Sequence, residues 1–183
     1  MVQADDEVMR GKPFYANINC DLSWVYVPES TDKQMFYLAC EQCKKKVMPD
    51  GDSYSCEACS RSYSNAVPTY NFSVRISDCS GSLSLSVFGE QGQGLLGISA
   101  KEFFAMHEDI AAVKELAMNR LNQVPMCLVV RAKVDQGGYS ENGPSIRYTL
   151  VRMGEHSYKS ANQSLLQQLT AYSAQTMDEG FAF

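Results

Sequence analysis

Apolar and polar residues alternate along several stretches of this chain. In residues 15–24, Ala16, Ile18, Cys20 and Leu22 interleave with Asn17, Asn19 and Asp21. A period of two puts one set on each face of a pleated strand, so the stretch predicts a half-buried β-strand. The period returns over residues 69–78, where Tyr70, Phe72, Val74 and Ile76 alternate with Asn71, Ser73, Arg75 and Ser77. Ser80-Gly81 marks a turn, after which Leu83, Leu85 and Val87 share one face while Ser82, Ser84, Ser86 and Phe88 share the other. Phe88 is thereby placed on a polar face.

The period then lengthens. Residues 89–97 are glycine-rich but lack the GxxxxGK[ST] spacing and follow no parallel βαβ series, so they do not read as a phosphate cradle. Ser99, with Glu102 three residues on, forms a capping-box pattern that opens a helix through Phe103, Phe104 and Met106. Ile110, Val113, Leu116, Ala117 and Leu121 continue at three- and four-residue spacing, a core-facing helical stripe. Pro125 ends this region. Residues 126–134 alternate again, with Met126, Leu128, Val130, Ala132 and Val134 against Cys127, Val129, Arg131 and Lys133. A polar hairpin loop is expected over residues 136–143, with Tyr139 near its tip. Residues 145–152 return as a strand with Ile146, Tyr148 and Leu150 inward and Arg147, Thr149 and Val151 outward. Residues 160–177 predict a last helix with the narrow apolar stripe Leu165, Leu166, Leu169 and Tyr172.

The predicted class is therefore mainly β. Five strands with helices between the third and fourth are the chain order of an OB-fold barrel, in which strands two and three and the loops joining strands one to two and four to five bind oligonucleotides. The expected division is an OB-fold over residues 1–158, with an insertion at about residues 36–64, and a C-terminal helix with its tail over residues 159–183.

The insertion holds the chain's most specific motif. Cys40-Glu-Gln-Cys43 and Cys56-Glu-Ala-Cys59 are separated by twelve residues. Two residues between cysteines let both thiolates reach one ion, and two such knuckles complete a tetrahedron, so Cys40, Cys43, Cys56 and Cys59 are the expected ligands of one structural Zn²⁺. Asp50-Gly51-Asp52 between them is a hairpin signal, and a zinc ribbon with strands near residues 45–48 and 53–55 follows. The rival reading, two disulfides, needs an oxidising compartment, and residues 1–12 show no apolar signal run. Neither His107 nor His156 has ligand spacing to the set.

Composition adjusts this picture without redirecting it. The 183 residues are 45% hydrophobic and 20% charged, as in globular domains, and no apolar run reaches the roughly 20 residues of a membrane span. The formal net charge of −5 disfavours nucleic acid if only the sum is counted. Its distribution matters more: acidic residues collect at 5–7, 102–115 and 178–179, whereas basic ones stand at Lys44, Lys45 and Lys46 and singly along the strands. The polar faces carry Arg75, Phe88, Arg131, Lys133 and Arg147, with Lys45, Lys46 and Tyr139 from the adjoining loops. Aromatics that stack on bases and cations that follow phosphates are what single-strand binding requires.

The cysteine ribbon after the first strand, Tyr70-Asn-Phe-Ser-Val-Arg-Ile-Ser-Asp78, Leu85-Ser-Val-Phe-Gly89 and the C-terminal helix together resemble the C-terminal DNA-binding domain of the replication protein A large subunit, over about residues 12–172. The resemblance implies a nuclear single-stranded DNA-binding and subunit-assembly domain acting in DNA replication, repair and recombination. It implies that Phe88 and Tyr139 stack on bases, that Lys45, Lys46, Arg131 and Lys133 meet the DNA, and that Leu165, Leu169 and Tyr172 pack with two smaller subunits of a heterotrimer. Ser84 departs from the family, which can carry a second aromatic there. A telomere- or meiosis-associated paralogue and a protein-interaction scaffold without DNA binding stay open as alternatives. A hydrolase is disfavoured, because the cysteine set is closed and no Asp/Glu pair or Ser/His set forms a catalytic constellation.

Overall fold

The computed structural model describes residues 11–29, 34–121, 125–140 and 143–154, together with residues 159, 162, 163, 166, 167, 169 and 170. Its longest-reaching element is the first strand, β1 (Phe14–Val25). The first half of β1, from Phe14↔Ala132 to Cys20↔Met126, pairs antiparallel with a late strand; the second half, from Asp21↔Ser77 to Val25↔Val74, pairs with an earlier one. One strand bonded to both ends of a sheet closes it.

The remaining strands in chain order are β2 (Phe36–Ala39), β3 (Met48–Asp50), β4 (Ser53–Cys56), β5 (Arg61–Tyr63), β6 (Val67–Asp78), β7 (Gly81–Phe88), β8 (Met126–Ser140) and β9 (Gly143–Gly154). The closed sheet runs β1-β8-β9-β7-β6 and back to β1, with β2 added on β6. Neighbours are antiparallel except β7 and β9, which are parallel. Five strands in this order, closed by the bent first strand, make the OB-fold barrel expected from the alternation. β8 and β9 remain paired as far as Ser140↔Gly143, so the backbone of residues 136–140, expected as loop, is strand.

The alternating apolar sets point inward. Leu22, Tyr70, Phe72, Val74, Ile76, Leu85, Val87, Leu128, Val130 and Leu150 are all buried in one core cluster. Burying each large apolar side chain stabilises the fold by roughly 1.5–3 kcal/mol. Three short helices cap this core: α1 (Glu90–Leu96), α2 (Ala100–Met106) and α3 (Ile110–Met118). α2 opens on the predicted capping box, with the Ser99 hydroxyl accepting from the Glu102 amide and the Glu102 carboxylate accepting from the Ser99 amide at 2.7 Å. α1 occupies the glycine-rich stretch at residues 89–97. Its glycines serve packing: a Cβ at Gly92 would come within 2.6 Å of the Tyr70 ring, which is fully buried and donates its hydroxyl to the Ile98 carbonyl at 3.1 Å.

β3, β4 and β5 form a separate three-stranded sheet between β2 and β6. Its small core is Cys40, Val47 and Cys56, flanked by Tyr54 and Tyr63. β2 links it to the barrel, since Phe36↔Tyr70 through Ala39↔Val67 pair antiparallel.

Candidate nucleic-acid interface and metal centre

The four cysteines of the two knuckles converge. Their sulfurs all lie within 4.8 Å of one another, with Cys40 Sγ 3.9 Å from Cys59 Sγ and Cys43 Sγ 3.5 Å from Cys56 Sγ. None is in a disulfide. In the first knuckle the Lys44 amide donates to the Cys40 carbonyl at 3.0 Å and the Cys40 amide to the Lys45 carbonyl at 2.8 Å. Lys44 and Ser60, each following the second cysteine of a knuckle, both take positive φ, 58° and 52°. The two turns thus share a left-handed residue, though the Ser60 amide donates to the Glu57 carbonyl, three residues back, and the Lys44 amide to Cys40, four back. Amide hydrogen bonds from Cys43 and Gln42 lower the Cys40 thiol to about 6, whereas hydrogen bonding with Cys43 raises Cys59 to about 12. With its four sulfurs on one small volume the set can hold a metal ion.

The outer face of the barrel is read from cross-strand partners, because directly paired residues share a face. Ser73 of β6 pairs with Ser86 of β7, Ser86 with Thr149 of β9, Thr149 with Arg131 of β8, and Arg131 with Tyr15 of β1. This row crosses five strands. A second row begins with Trp24 opposite Arg75 and Arg75 opposite Ser84. Parallel strands advance together, so Arg147, two residues before Thr149, stands level with Ser84; Lys133 is its direct partner on β8. Phe88 lies two residues beyond Ser86 on the same face, opposite Asn71, and is 39% exposed. Neither row contains an acidic residue.

Of the residues singled out from the sequence, Arg75, Phe88, Arg131, Lys133 and Arg147 therefore come together on one continuous face. Within it, the Nε of Arg131 is buried and has no hydrogen-bond partner among the described residues. Lys45 and Lys46 are exposed on the ribbon, and Lys46 bridges to Ala39 at the end of β2. The backbone of Tyr139 pairs with Pro144 near the β8–β9 turn. Leu165 and Tyr172 lie outside the described residues; Leu169 is helical and 57% exposed, beside the likewise exposed Leu166.

Two outward aromatics escape the sequence pattern. Tyr37 on β2 pairs with Thr69 and donates its hydroxyl to the Lys44 carbonyl at 3.1 Å. Trp24 is the second, because alternation counted from Ile18, Cys20 and Leu22 would turn it inward. A bulge intervenes, since Leu22 pairs with Ile76 but Trp24 with Arg75, two residues on β1 against one on β6. Ser23, the extra residue, donates its hydroxyl to the Arg75 carbonyl at 3.0 Å. Trp24 turns outward, 45% exposed, and Val25 inward. The signal in the sequence is Trp24-Val25-Tyr26-Val27, whose alternation is out of phase with that before Ser23.

Barrel, inserted cysteine ribbon and the basic rows on the outer face define a protein of the OB-fold class, with a ribbon able to hold a metal ion in the loop after the first barrel strand. Residues 15–165 match the family Replication factor-A C terminal domain, and the chain belongs to that family. It is similar to replication factor A protein 1 of Schizosaccharomyces pombe, 26% identical over 167 residues, covering 90% of this chain and 26% of the relative. It is likewise similar to the replication factor A 51 kDa subunit of Crithidia fasciculata, 29% identical, covering 84% of this chain and 33% of the relative. Among solved structures it superposes on a chain of a replication protein A heterotrimer bound to single-stranded DNA with a TM-score of 0.75 and 29% identity, covering 94% of this chain and 39% of the other. The chain thus spans about a quarter to a third of these two curated relatives. Both are described as replication factors rather than by a reaction. Among the described residues no helix is long and apolar enough to cross a membrane.

Proposed function

We propose that the outer face of β6, β7, β9 and β8 binds single-stranded DNA, as part of a replication protein A large subunit acting in replication, repair and recombination in the nucleus. The observation that carries this reading is the pair of cross-strand rows, which bring Arg75, Arg147, Lys133 and Arg131 alongside Phe88 with no carboxylate between them. Phe88 stacks on a base, and the cations follow the phosphates on either side of it. Tyr139, from the β8–β9 turn, and Lys45 and Lys46, from the ribbon, contact the strand at the two ends of the face.

The metal is a single structural Zn²⁺ held by Cys40, Cys43, Cys56 and Cys59. Four thiolates at about 2.3 Å from one ion stand about 3.8 Å apart in a tetrahedron, and the sulfur separations of 3.5 and 3.9 Å fit that spacing. The ion cross-links the two knuckles and leaves no position open for water. The C-terminal segment serves subunit assembly, with Leu165, Leu169 and Tyr172 toward the two smaller subunits; the exposure of Leu169 and Leu166 supports an apolar partner there.

Fluorescence anisotropy of a labelled mixed-sequence oligonucleotide, titrated with protein at several salt concentrations, tests the reading. The expected result is binding that weakens linearly in log–log form as salt rises. Absence of salt-sensitive binding tighter than the non-specific range of about 10⁻⁴ M would reject it.

A further inference from the structure

The bulge at Ser23 places the chain's single tryptophan in the same lateral row as Arg75 and Ser84. Bulges re-aim side chains and recur beside binding sites. An indole 45% exposed on a polar strand face is costly unless something covers it. Beside Trp24 opens a groove of about 780 Å³ between the end of β1 and α3, within the size range of ligand clefts. Tyr26, half-buried and edge-on to the indole with ring centroids 5.8 Å apart, lines one wall; Met118, 67% exposed, and Lys114 line the other. Glu29 also lines the groove, so its charge is balanced and it does not select a phosphate.

We infer that Trp24 is a second base-stacking platform and that the groove beside it seats a nucleobase at one end of the bound strand. The inference rests on the single-strand reading above and deepens it. Two strand spacings and four residues separate Trp24 from Phe88, about 16 Å on the sheet surface. That distance accommodates about five stacked nucleotides, within the site size of one OB-fold. Arg75, directly opposite Trp24, lies between the two platforms where the connecting phosphates pass. On β7 this row offers only Ser84, too small to stack, so the aromatic surface is moved two strands sideways onto β1.

Because the protein has one tryptophan, its emission reports this site alone. Unlabelled oligothymidylate is titrated against tryptophan emission, and in parallel the same strand, labelled, is followed by anisotropy for the parent, Trp24→Ala and Trp24→Phe proteins. The expected result is quenching that saturates together with anisotropy, affinity lower by roughly five- to a hundredfold in Trp24→Ala, and near-parental affinity in Trp24→Phe. Rising anisotropy with unchanged emission and unchanged Trp24→Ala affinity would overturn the inference and leave the single-strand reading standing. No anisotropy change in the parent would overturn both.

Discussion

The Tyr37 hydroxyl donates to the Lys44 carbonyl at 3.1 Å, joining the strand that rides on the barrel to the turn of the first cysteine knuckle. Tyr37 belongs to β2 and pairs with Thr69 of β6, while Lys44 directly follows the first cysteine pair. Order in the knuckle is thereby passed to the barrel rim at which Lys45 and Lys46 emerge.

Removing the metal is expected to act locally. The ribbon core of Cys40, Val47 and Cys56 is distinct from the barrel core, so Cys59→Ser or chelation should release the ribbon and leave the barrel folded. DNA affinity should fall while the far-UV circular dichroism of the barrel persists. Global loss of that signal on chelation would show that the ribbon belongs to the main core.

Phe88→Ala should weaken single-strand binding by about 1–3 kcal/mol. With the side chain 39% exposed and the rest buried, stability from the urea midpoint should fall by about 1–2 kcal/mol, leaving the protein folded. Unchanged affinity would favour the reading of this domain as a protein-interaction scaffold.

Arg131→Met removes the orphaned Nε and keeps an apolar stem between Tyr15 and Thr149. Stability should hold or rise, and affinity should drop for all sequences alike. The log–log salt slope should decrease in magnitude by about 0.7, the value of one phosphate contact on a single strand. A loss confined to particular sequences would assign Arg131 to a base instead.

Gly92→Ala sets two effects against each other. Helix propensity gains about 1 kcal/mol, but the new Cβ meets the buried Tyr70 ring at 2.6 Å, and overpacking of this kind costs about 1–3 kcal/mol. A lower denaturation midpoint is expected, because the Tyr70 atoms met include Cβ and Cγ, close to a buried backbone. A raised midpoint would mean that α1 shifts freely over the barrel.

Asp78 closes the β6–β7 turn by accepting from the Ser80 hydroxyl at 2.7 Å, the Ser80 amide at 2.8 Å and the Gly81 amide at 3.1 Å. The Ser80 hydroxyl is the largest cause holding its carboxyl below the usual range, with the amides adding to it. A depressed folded-state value contributes stability above the ordinary aspartate range near 4, and that contribution is lost as pH falls through the folded value. The urea midpoints of Asp78→Ala and parent should differ at about pH 7 and converge toward about pH 2. A difference independent of pH would assign the turn's stability to its backbone.

Much of this is legible from periodicity. The inward faces of β6, β7 and residues 126–134 and 145–150 follow from simple alternation, which breaks after Leu150 where β9 carries an extra residue against β8, and the capping box at Ser99 is a local pattern that needs no tertiary information. The four cysteines converge as their spacing implies. α1 is hidden because Gly92 and Gly94 depress helix propensity, and only the Tyr70 ring explains Gly92. Trp24 is hidden for another reason: counting by twos fails at a single inserted residue, and nothing upstream of Ser23 announces the insertion. The partnership of Arg147 with Ser84 and Lys133 is a matter of non-local register, which no local pattern contains.

The pairing of Ala39 with Val67 has a topological meaning. In an antiparallel ladder, residues that face each other at the end of two strands are ordinarily joined by a turn of two to five residues. The whole cysteine ribbon therefore occupies the place of a hairpin turn. It enters and leaves the barrel at one rung and adds a cation-bearing arm whose loss the strand order around the barrel need not register.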